Sequence, residues 1–311
     1  MKITALLFTV LTGLSFASIS IIVGRLAKDR ISFFQFFTLS NLIASAAAWA
    51  LMPTWSLVPG IEWGKVLLIT GSIGLVNTAS QAALVCSMKW GHNGLSVAIR
   101  NTASMISMLF ALIFLHEKIS VINAFGVLVV IVSLAVIAIF GKKNSVSSDL
   151  KKWIPAVIGS LLLSGTYQIL MTSTVILPET TRKANVIVPC LMGFCCIGNL
   201  IASLIEQKIR NNKDIRDEDD RKLFHFDKKV WQVLFCWVAG ALIQYYLLLR
   251  ALSSMREAAM ASLAWPMLIG VNVTTFSIFC RLRWKEKYPL TTIIGMVGCV
   301  AGIIMMIIGR K

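Results

Sequence analysis

The sequence has few charged residues, and the rarest kind is the acid. Only 14% of its 311 residues are charged, and 14 residues are Asp or Glu. None of these acids lies within a long apolar run, and no Ser/His, paired-Asp or metal-ligand constellation occurs there. An intramembrane enzyme needs such a constellation, so the sequence predicts that the protein is not an enzyme. It also lacks a phosphate-binding loop, so ATP-driven pumping by this chain alone is unsupported.

Cysteine and histidine form no recognisable site either. The seven cysteines lie inside apolar runs without a C-x-x-C pair, and none of the three histidines stands at ligand spacing from them. A disulfide framework and a zinc site are therefore unsupported. We predict neither a metal nor a cofactor, and we expect the cysteines to be small buried apolar side chains.

Apolar residues dominate what is present. The hydrophobic fraction is 57% and the mean hydropathy is +0.79. A bilayer core about 30 Å thick needs roughly 20 apolar residues per helix, and this criterion predicts an all-α membrane protein with ten transmembrane helices. The predicted spans are approximately 3–24, 32–52, 64–88, 94–115, 120–140, 153–176, 184–206, 230–250, 258–280 and 290–309.

The net charge of +16 is explained by the loops. Alternate loops carry about 20 Lys and Arg, against about 9 in the other set with both termini, and such residues favour the cytoplasmic side. This predicts an integral protein of the inner or plasma membrane with both termini outside. Nucleic acid is not needed as a partner, and the charged loop 207–229 is expected to be solvated.

The chain contains an internal repeat. Glu117 and Gly126, nine residues apart, recur as Glu286 and Gly295 at an offset of 169 residues. The repeat predicts two five-helix halves, 1–143 and 144–311, the second containing loop 207–229. Since each half has an odd number of spans, the second enters the membrane from the opposite side, as in inverted-repeat transporters.

Polar residues inside the predicted spans are the candidate binding groups. Such side chains face protein or a wet cavity rather than lipid, and each is either an interhelical hydrogen-bonding group or a ligand contact. Amides beside aromatic rings suit a polyhydroxylated or heterocyclic ligand, through hydrogen bonds and stacking. The predicted substrate-binding residues are Asn77, Gln81, Arg100, Tyr167, Gln168, Gln244, Tyr245, Trp265 and Asn272.

Arg100 is the only charged residue in the interior of a predicted span, away from the span ends. Its side chain either reaches the headgroups from about 9 Å inside the membrane, or meets a substrate or another helix. If it binds substrate, an anionic group is the natural ligand.

Three further residues are assigned to turns or gates. Pro266 lacks an amide donor inside the ninth span, and a kink there would position Trp265. Glu117 and Glu286 each lie in a short turn between two helices. A carboxylate in such a turn caps the N-terminus of the next helix, or acts in gating.

Ten short-looped helices in two halves, each with an acid-containing turn (His116-Glu117-Lys118 and Lys285-Glu286-Lys287), resemble the drug/metabolite transporter superfamily with its EamA-type repeats. The resemblance covers essentially the whole chain. Within that superfamily, Trp265-Pro266 and the stretch Gly24–Arg30 are similar to the branch containing the L-rhamnose–proton symporter and other bacterial sugar transporters. That branch places both termini outside.

The resemblance implies a secondary transporter that moves a small polar metabolite, such as a sugar, by alternating access. An alternative is an exporter of amino acids, anionic metabolites or drug-like compounds on the same fold, and a membrane receptor or sensor is a more remote one. The acids lie in loops or at span ends, so either an acid at a span end couples transport to protons or transport is uncoupled. We expect a monomer or homodimer in the lipid bilayer, with a small-molecule substrate.

Overall fold

A computed structural model describes residues 2–28, 33–51, 60–90, 93–117, 120–140, 150–181, 183–211, 228–283 and 290–309. Within these ranges the chain is helical and contains no strand, which confirms the predicted all-α class. The helices are α1 (Lys2–Lys28), α2 (Phe33–Ala50), α3 (Trp63–Trp90), α4 (Asn93–Asn101), α5 (Ser104–Phe114), α6 (Val121–Phe140), α7 (Leu150–Ser173), α8 (Ala184–Asn211), α9 (Lys228–Glu257), α10 (Ala261–Arg283) and α11 (Leu290–Ile308).

Seven of these helices are long and apolar enough to cross a membrane. Three shorter apolar stretches, at 99–114, 121–136 and 293–308, coincide with the remaining predicted spans. Many large apolar side chains point outward, as in Val121, which is 86% exposed. Exposure on this scale is costly in water and is typical of a surface that contacts lipid. The prediction of ten spans stays a prediction for the three shorter stretches.

The fourth predicted span was expected to be one continuous helix, and this was wrong. The chain divides it into α4 and α5 at Thr102 and Ala103. Amides in this stretch bond to the carbonyl three residues earlier: Ala103 N donates to Arg100 O at 3.1 Å and Met105 N to Thr102 O at 2.9 Å. A tightened turn inside a helix often marks a functional hinge.

The chain forms two compact units, each assembled from separate segments. Unit 1 contains Met1–Ser18, Ala79–Val175 and Leu247–Lys311, and unit 2 contains Ile19–Thr78 and Ile176–Tyr246. Both units therefore draw on both predicted halves of the sequence. The division into halves 1–143 and 144–311 stays a prediction, because a repeat boundary and a compact unit are different properties.

In unit 1, α6 packs extensively against α11. The contacts run from Gly309 beside Asn123 to Gly298 beside Ser133, so the two helices are antiparallel. At Gly302 the backbones approach so closely that an added Cβ would lie 2.7 Å from the Gly126 carbonyl oxygen. Small residues permit this approach, which is a common basis of helix association in membranes.

In unit 2, α2 packs extensively against α8. The Ser45 hydroxyl donates a hydrogen bond to the Pro189 carbonyl at 2.9 Å. Pro189 lies inside α8 and has no amide to continue the helical bonding pattern. The Trp49 and Trp63 rings stack with centroids 6.2 Å apart. They pack against the buried core of Val66, Val186 and Cys190.

Most hydroxyl groups on these helices bond within their own helix. On α1, Thr12 donates to the Phe8 carbonyl at 2.7 Å and Ser15 to the Leu11 carbonyl at 3.1 Å. A hydroxyl satisfied in this way can face lipid at little cost. Ser18, for example, is exposed and donates to the Leu14 carbonyl, so its hydroxyl does not require a partner from another helix.

Candidate functional site

The candidate site lies in unit 1 and begins with one face of α7. Ser164, Gln168 and Thr172 follow one another at intervals of four residues, so they share a face of the helix. All three side chains are buried, with exposed fractions of 5%, 4% and 1%. A row of buried polar groups in an apolar helix requires hydrogen-bond partners from neighbouring helices or from a ligand.

Two neighbouring helices supply such partners. From α5, the Ser107 hydroxyl lies 3.1 Å from Gln168 Oε1 and 3.0 Å from the Ser104 carbonyl. From α10, the indole Nε1 of Trp265 donates to Thr172 Oγ1 at 3.0 Å. These bonds join α5, α7 and α10 through their side chains in the interior of unit 1.

Aromatic rings complete the cluster. The rings of Tyr167 and Trp265 meet edge to face, with centroids 5.9 Å apart, and both residues are at most 8% exposed. We define the polar cluster as Ser107, Tyr167, Gln168, Thr172 and Trp265. It combines amide, hydroxyl and aromatic groups without a carboxylate, an arrangement suited to binding a small molecule by hydrogen bonds and ring contacts.

Pro266 follows Trp265 inside α10. The helix continues on both sides of it, from Ala261 to Arg283. The proline has no amide to donate to the Ser262 carbonyl. Trp265 is held by its hydrogen bond to Thr172, so this bond fixes the indole whether or not the proline bends the helix.

Arg100 lies in the last turn of α4, which packs against α7, the helix that carries Tyr167 and Gln168. The Nε atom is buried and has no hydrogen-bond partner among the described residues. The C-terminal end of a helix favours a nearby cation, which stabilises part of this charge. Arg100 thus places one positive charge on a helix that contacts α7, a helix of the neutral polar cluster.

The other predicted binding residues are divided between the units. Gln81 on α3 and Asn272 on α10 belong to unit 1 and are half-buried; Asn272 lies two turns beyond Trp265 on the same helix. In unit 2, Asn77 Nδ2 lies 3.9 Å from the Cys195 sulfur, and the buried Oε1 of Gln244 has no partner among the described residues.

Tyr245 is also buried in unit 2. Of the nine predicted residues, the structure therefore brings Tyr167, Gln168 and Trp265 into one cluster, and Arg100 lies on α4, which packs against α7. That the nine bind one substrate stays a prediction.

Two members of the polar cluster were not predicted. Ser107 carries little signal, because isolated serines are common in membrane helices and usually bond within the helix. Thr172 was detectable in principle, since its spacing of four residues from Gln168 repeats the spacing between Ser164 and Gln168. Three polar residues at that spacing indicate a single face of a helix.

Glu117 was expected to cap the helix that follows it or to act as a gate. Instead its carboxylate accepts hydrogen bonds from two amides at the start of α10, Ala261 N at 2.7 Å and Ser262 N at 2.8 Å. The following helix has its own cap, because the Ser120 hydroxyl accepts the Asn123 amide at 3.2 Å. Sequence spacing could not identify α10, which lies 144 residues further along the chain.

Glu286, the predicted counterpart of Glu117, lies outside the described residues. Within the described residues, no three His, Cys, Asp or Glu side chains are grouped so that they could hold a metal ion.

Replacing Glu117 by alanine is expected to lower the stability of the protein in detergent by about 2 kcal/mol. The change removes a charged acceptor from two amides at once, and losses of this kind typically cost about 1–3 kcal/mol. Thermal unfolding followed by size-exclusion chromatography measures the effect. Glu179, an exposed acid in a turn, provides the control, and equal losses for Glu179→Ala and Glu117→Ala would contradict the capping role.

Comparison with known proteins locates a family domain in the first part of the chain. Residues 3–139 match the model of the EamA-like transporter family. No curated protein matches the sequence. A solved structure titled "Crystal structure of protein" is similar to this chain over 100% of both chains, with a TM-score of 0.73 and 11% sequence identity. This likeness shows a shared fold. The branch of the rhamnose symporter receives no support from these matches.

Proposed function

The chain carries an EamA-like transporter family domain at residues 3–139, and on this basis we propose that it is a membrane transporter of a small polar metabolite. The seven helices long enough to span a bilayer support an integral membrane protein. Transport by a helical protein requires polar groups within the membrane that can replace the hydration of the solute. The polar cluster in unit 1 supplies such groups.

The polar cluster is the observation that carries the proposal. Its five side chains come from α5, α7 and α10, and all are at most 8% exposed. The amide of Gln168 and the hydroxyl of Ser107 are suited to hydrogen bonds with hydroxyl or amino groups of a solute. The rings of Tyr167 and Trp265 are suited to contact with its flatter faces. A receptor could use the same groups, but the family domain favours transport.

The proposed mechanism is alternating access by two inverted five-helix repeats. The packing of α6 against α11 supports it. At the repeat offset of 169 residues, Val130 corresponds to Cys299, and the Cys299 sulfur lies 4.0 Å from the Val130 carbonyl. Antiparallel helices that meet at equivalent positions are expected on a two-fold axis in the membrane plane.

The direction of transport is a separate property. Importers and exporters of small molecules are equally compatible with the domain, including a sugar importer and an exporter of amino acids or drug-like compounds. We propose the cell membrane as the location with both termini outside, supported by the excess of Lys and Arg in alternate loops.

Uptake and efflux by proteoliposomes test the proposed function. The purified chain would be reconstituted and supplied with radiolabelled sugars, amino acids, organic acids and nucleosides, each with and without a pH gradient. We expect saturable movement of at least one class. If the pH gradient accelerates it, an acid at a helix end or a terminus couples transport to protons. No protein-dependent movement of any class, in either direction, would contradict the proposal.

A pair of variants on α7 locates transport in the polar cluster. Gln168→Ala removes a side chain from the cluster, whereas Thr166→Ala changes an exposed residue two positions away whose hydroxyl bonds to the Leu162 carbonyl of the same helix. We expect transport to fall at least about tenfold, equivalent to about 1.4 kcal/mol, in Gln168→Ala only. Equal activity in the two variants would exclude Gln168 from the site.

A further inference from the structure

Arg100 is a charged side chain on α4, and α4 packs against α7, the helix that carries Tyr167 and Gln168 of the polar cluster. Among the described residues, no carboxylate forms an ion pair with its guanidinium. Its buried Nε donor also has no hydrogen-bond partner there. The Arg100 side chain is half-buried, and a partly buried charge without a partner loses hydration at a cost in free energy. A bound anion would offset this cost.

The local backbone also distinguishes this position. Arg100 immediately precedes the tightened turn between α4 and α5, and the Ala103 amide bonds back to the Arg100 carbonyl. Ser107, one turn into α5, reaches the polar cluster through Gln168. Interrupted helices in membrane transporters commonly lie at substrate sites. The interruption therefore places a cation and a cluster hydroxyl on successive short helices.

We propose that Arg100 binds the carboxylate group of the transported solute, so that the substrate is a small organic acid or amino acid. This inference rests on the proposed function and identifies its substrate class. The planar guanidinium fork matches the two oxygens of a carboxylate. The rings of Tyr167 and Trp265 and the amide of Gln168 then contact the uncharged body of the solute.

The charge balance favours a carboxylate over a phosphate ester. A phosphate group carries about 1.5 to 2 negative charges at neutral pH, whereas Arg100 supplies one positive charge. Arg256, another arginine of unit 1, donates to the Val175 carbonyl, so it is already engaged. A single carboxylate neutralises the charge of Arg100.

Matched pairs of solutes test the proposal on the full chain. Proteoliposomes would be supplied with glucuronate and glucose, N-acetylphenylalanine and N-acetylphenylalaninol, and lactate and propane-1,2-diol, with glucose 6-phosphate as the phosphate probe. We expect the carboxylate of at least one pair to be transported, and its neutral partner at least about tenfold more slowly. Transport of neutral partners alone, or of glucose 6-phosphate in preference to the acids, would overturn the inference.

Variants at Arg100 assign the selectivity to this residue. Arg100→Gln is expected to reduce carboxylate transport about 10- to 100-fold and leave neutral solutes little changed. Arg100→Lys keeps the positive charge but loses the planar guanidinium fork. Its rate of carboxylate transport should therefore lie between that of the unmodified chain and that of Arg100→Gln. Arg250→Gln, which changes an exposed arginine of α9 in the same unit, is the control. Unchanged carboxylate selectivity in Arg100→Gln would overturn the assignment.

The same assays separate failure of this inference from failure of the proposed function. If neutral solutes move and acids do not, the chain is a transporter and Arg100 has another role. If no solute moves, the proposed function itself fails. Should Arg100→Gln fail to fold, the solute pairs on the unmodified chain and the Arg100→Lys variant still decide the result.

Discussion

Substituting valine for Gly302 is expected to force α6 and α11 apart and to destabilise the protein by roughly 3 kcal/mol. A Cβ at this position would lie 2.7 Å from the Gly126 carbonyl oxygen and 3.0 Å from the Val130 amide nitrogen. Both obstacles are backbone atoms, so a side-chain rotation cannot relieve the clash. Thermal unfolding in detergent and the yield of monodisperse protein measure the loss.

Gly159 offers a matched control in the same unit. It also lies inside a helix, α7, but no atom lies within 4 Å of the position that its Cβ would occupy. Gly159→Val is expected to leave stability nearly unchanged. If the two variants lost stability equally, the cost would come from helix propensity and not from the close approach of α6 and α11.

Removing the indole of Trp265 should have the largest effect on transport. Trp265→Ala eliminates the ring contact with Tyr167 and the hydrogen bond to Thr172. The residue is 3% exposed, so the cavity also costs stability, about 3–5 kcal/mol. We expect transport per folded molecule to fall at least about tenfold, measured on protein that elutes as a single species.

Trp265→Phe separates the ring from the hydrogen bond. It keeps an aromatic group near Tyr167 and loses only the N–H donor to Thr172, so about 1 kcal/mol of stability is at stake. Combining it with Thr172→Val gives a double-mutant cycle. If the two residues stabilise the protein through their hydrogen bond, the double variant should be little less stable than the less stable of the two single variants. Full additivity of the two effects would show that the bond contributes nothing.

Much of the helical architecture could be predicted from sequence because the bilayer imposes a length and a polarity on each element. Every predicted span corresponds to one or two helices of the structure. The error lay in the fourth span. Its apolar pattern continues through Thr102 and Ala103. Hydropathy does not depend on whether a backbone amide bonds to the carbonyl four residues earlier or to the one three residues earlier.

The polar cluster was only partly predictable. Tyr167, Gln168 and Trp265 were selected because amides and aromatic rings are conspicuous in apolar helices, and the structure brings them together. Ser107 escaped selection because most hydroxyl groups on these helices bond to their own backbone. A serine that bonds to another helix and a serine that bonds to its own backbone cannot be distinguished by sequence, because both are surrounded by apolar residues.

The sequence alone determined that the long apolar runs of this protein are helical, because 57% hydrophobic residues in runs of helix-span length favour helices, which satisfy their own backbone hydrogen bonds. It also showed that the acids lie in loops or at span ends. Only the tertiary structure decided that Glu117 caps α10 and that Ser107 and Thr172 join the polar cluster. Contacts over 61 to 144 residues depend on which helix faces pack together, and a periodic apolar pattern does not encode that choice.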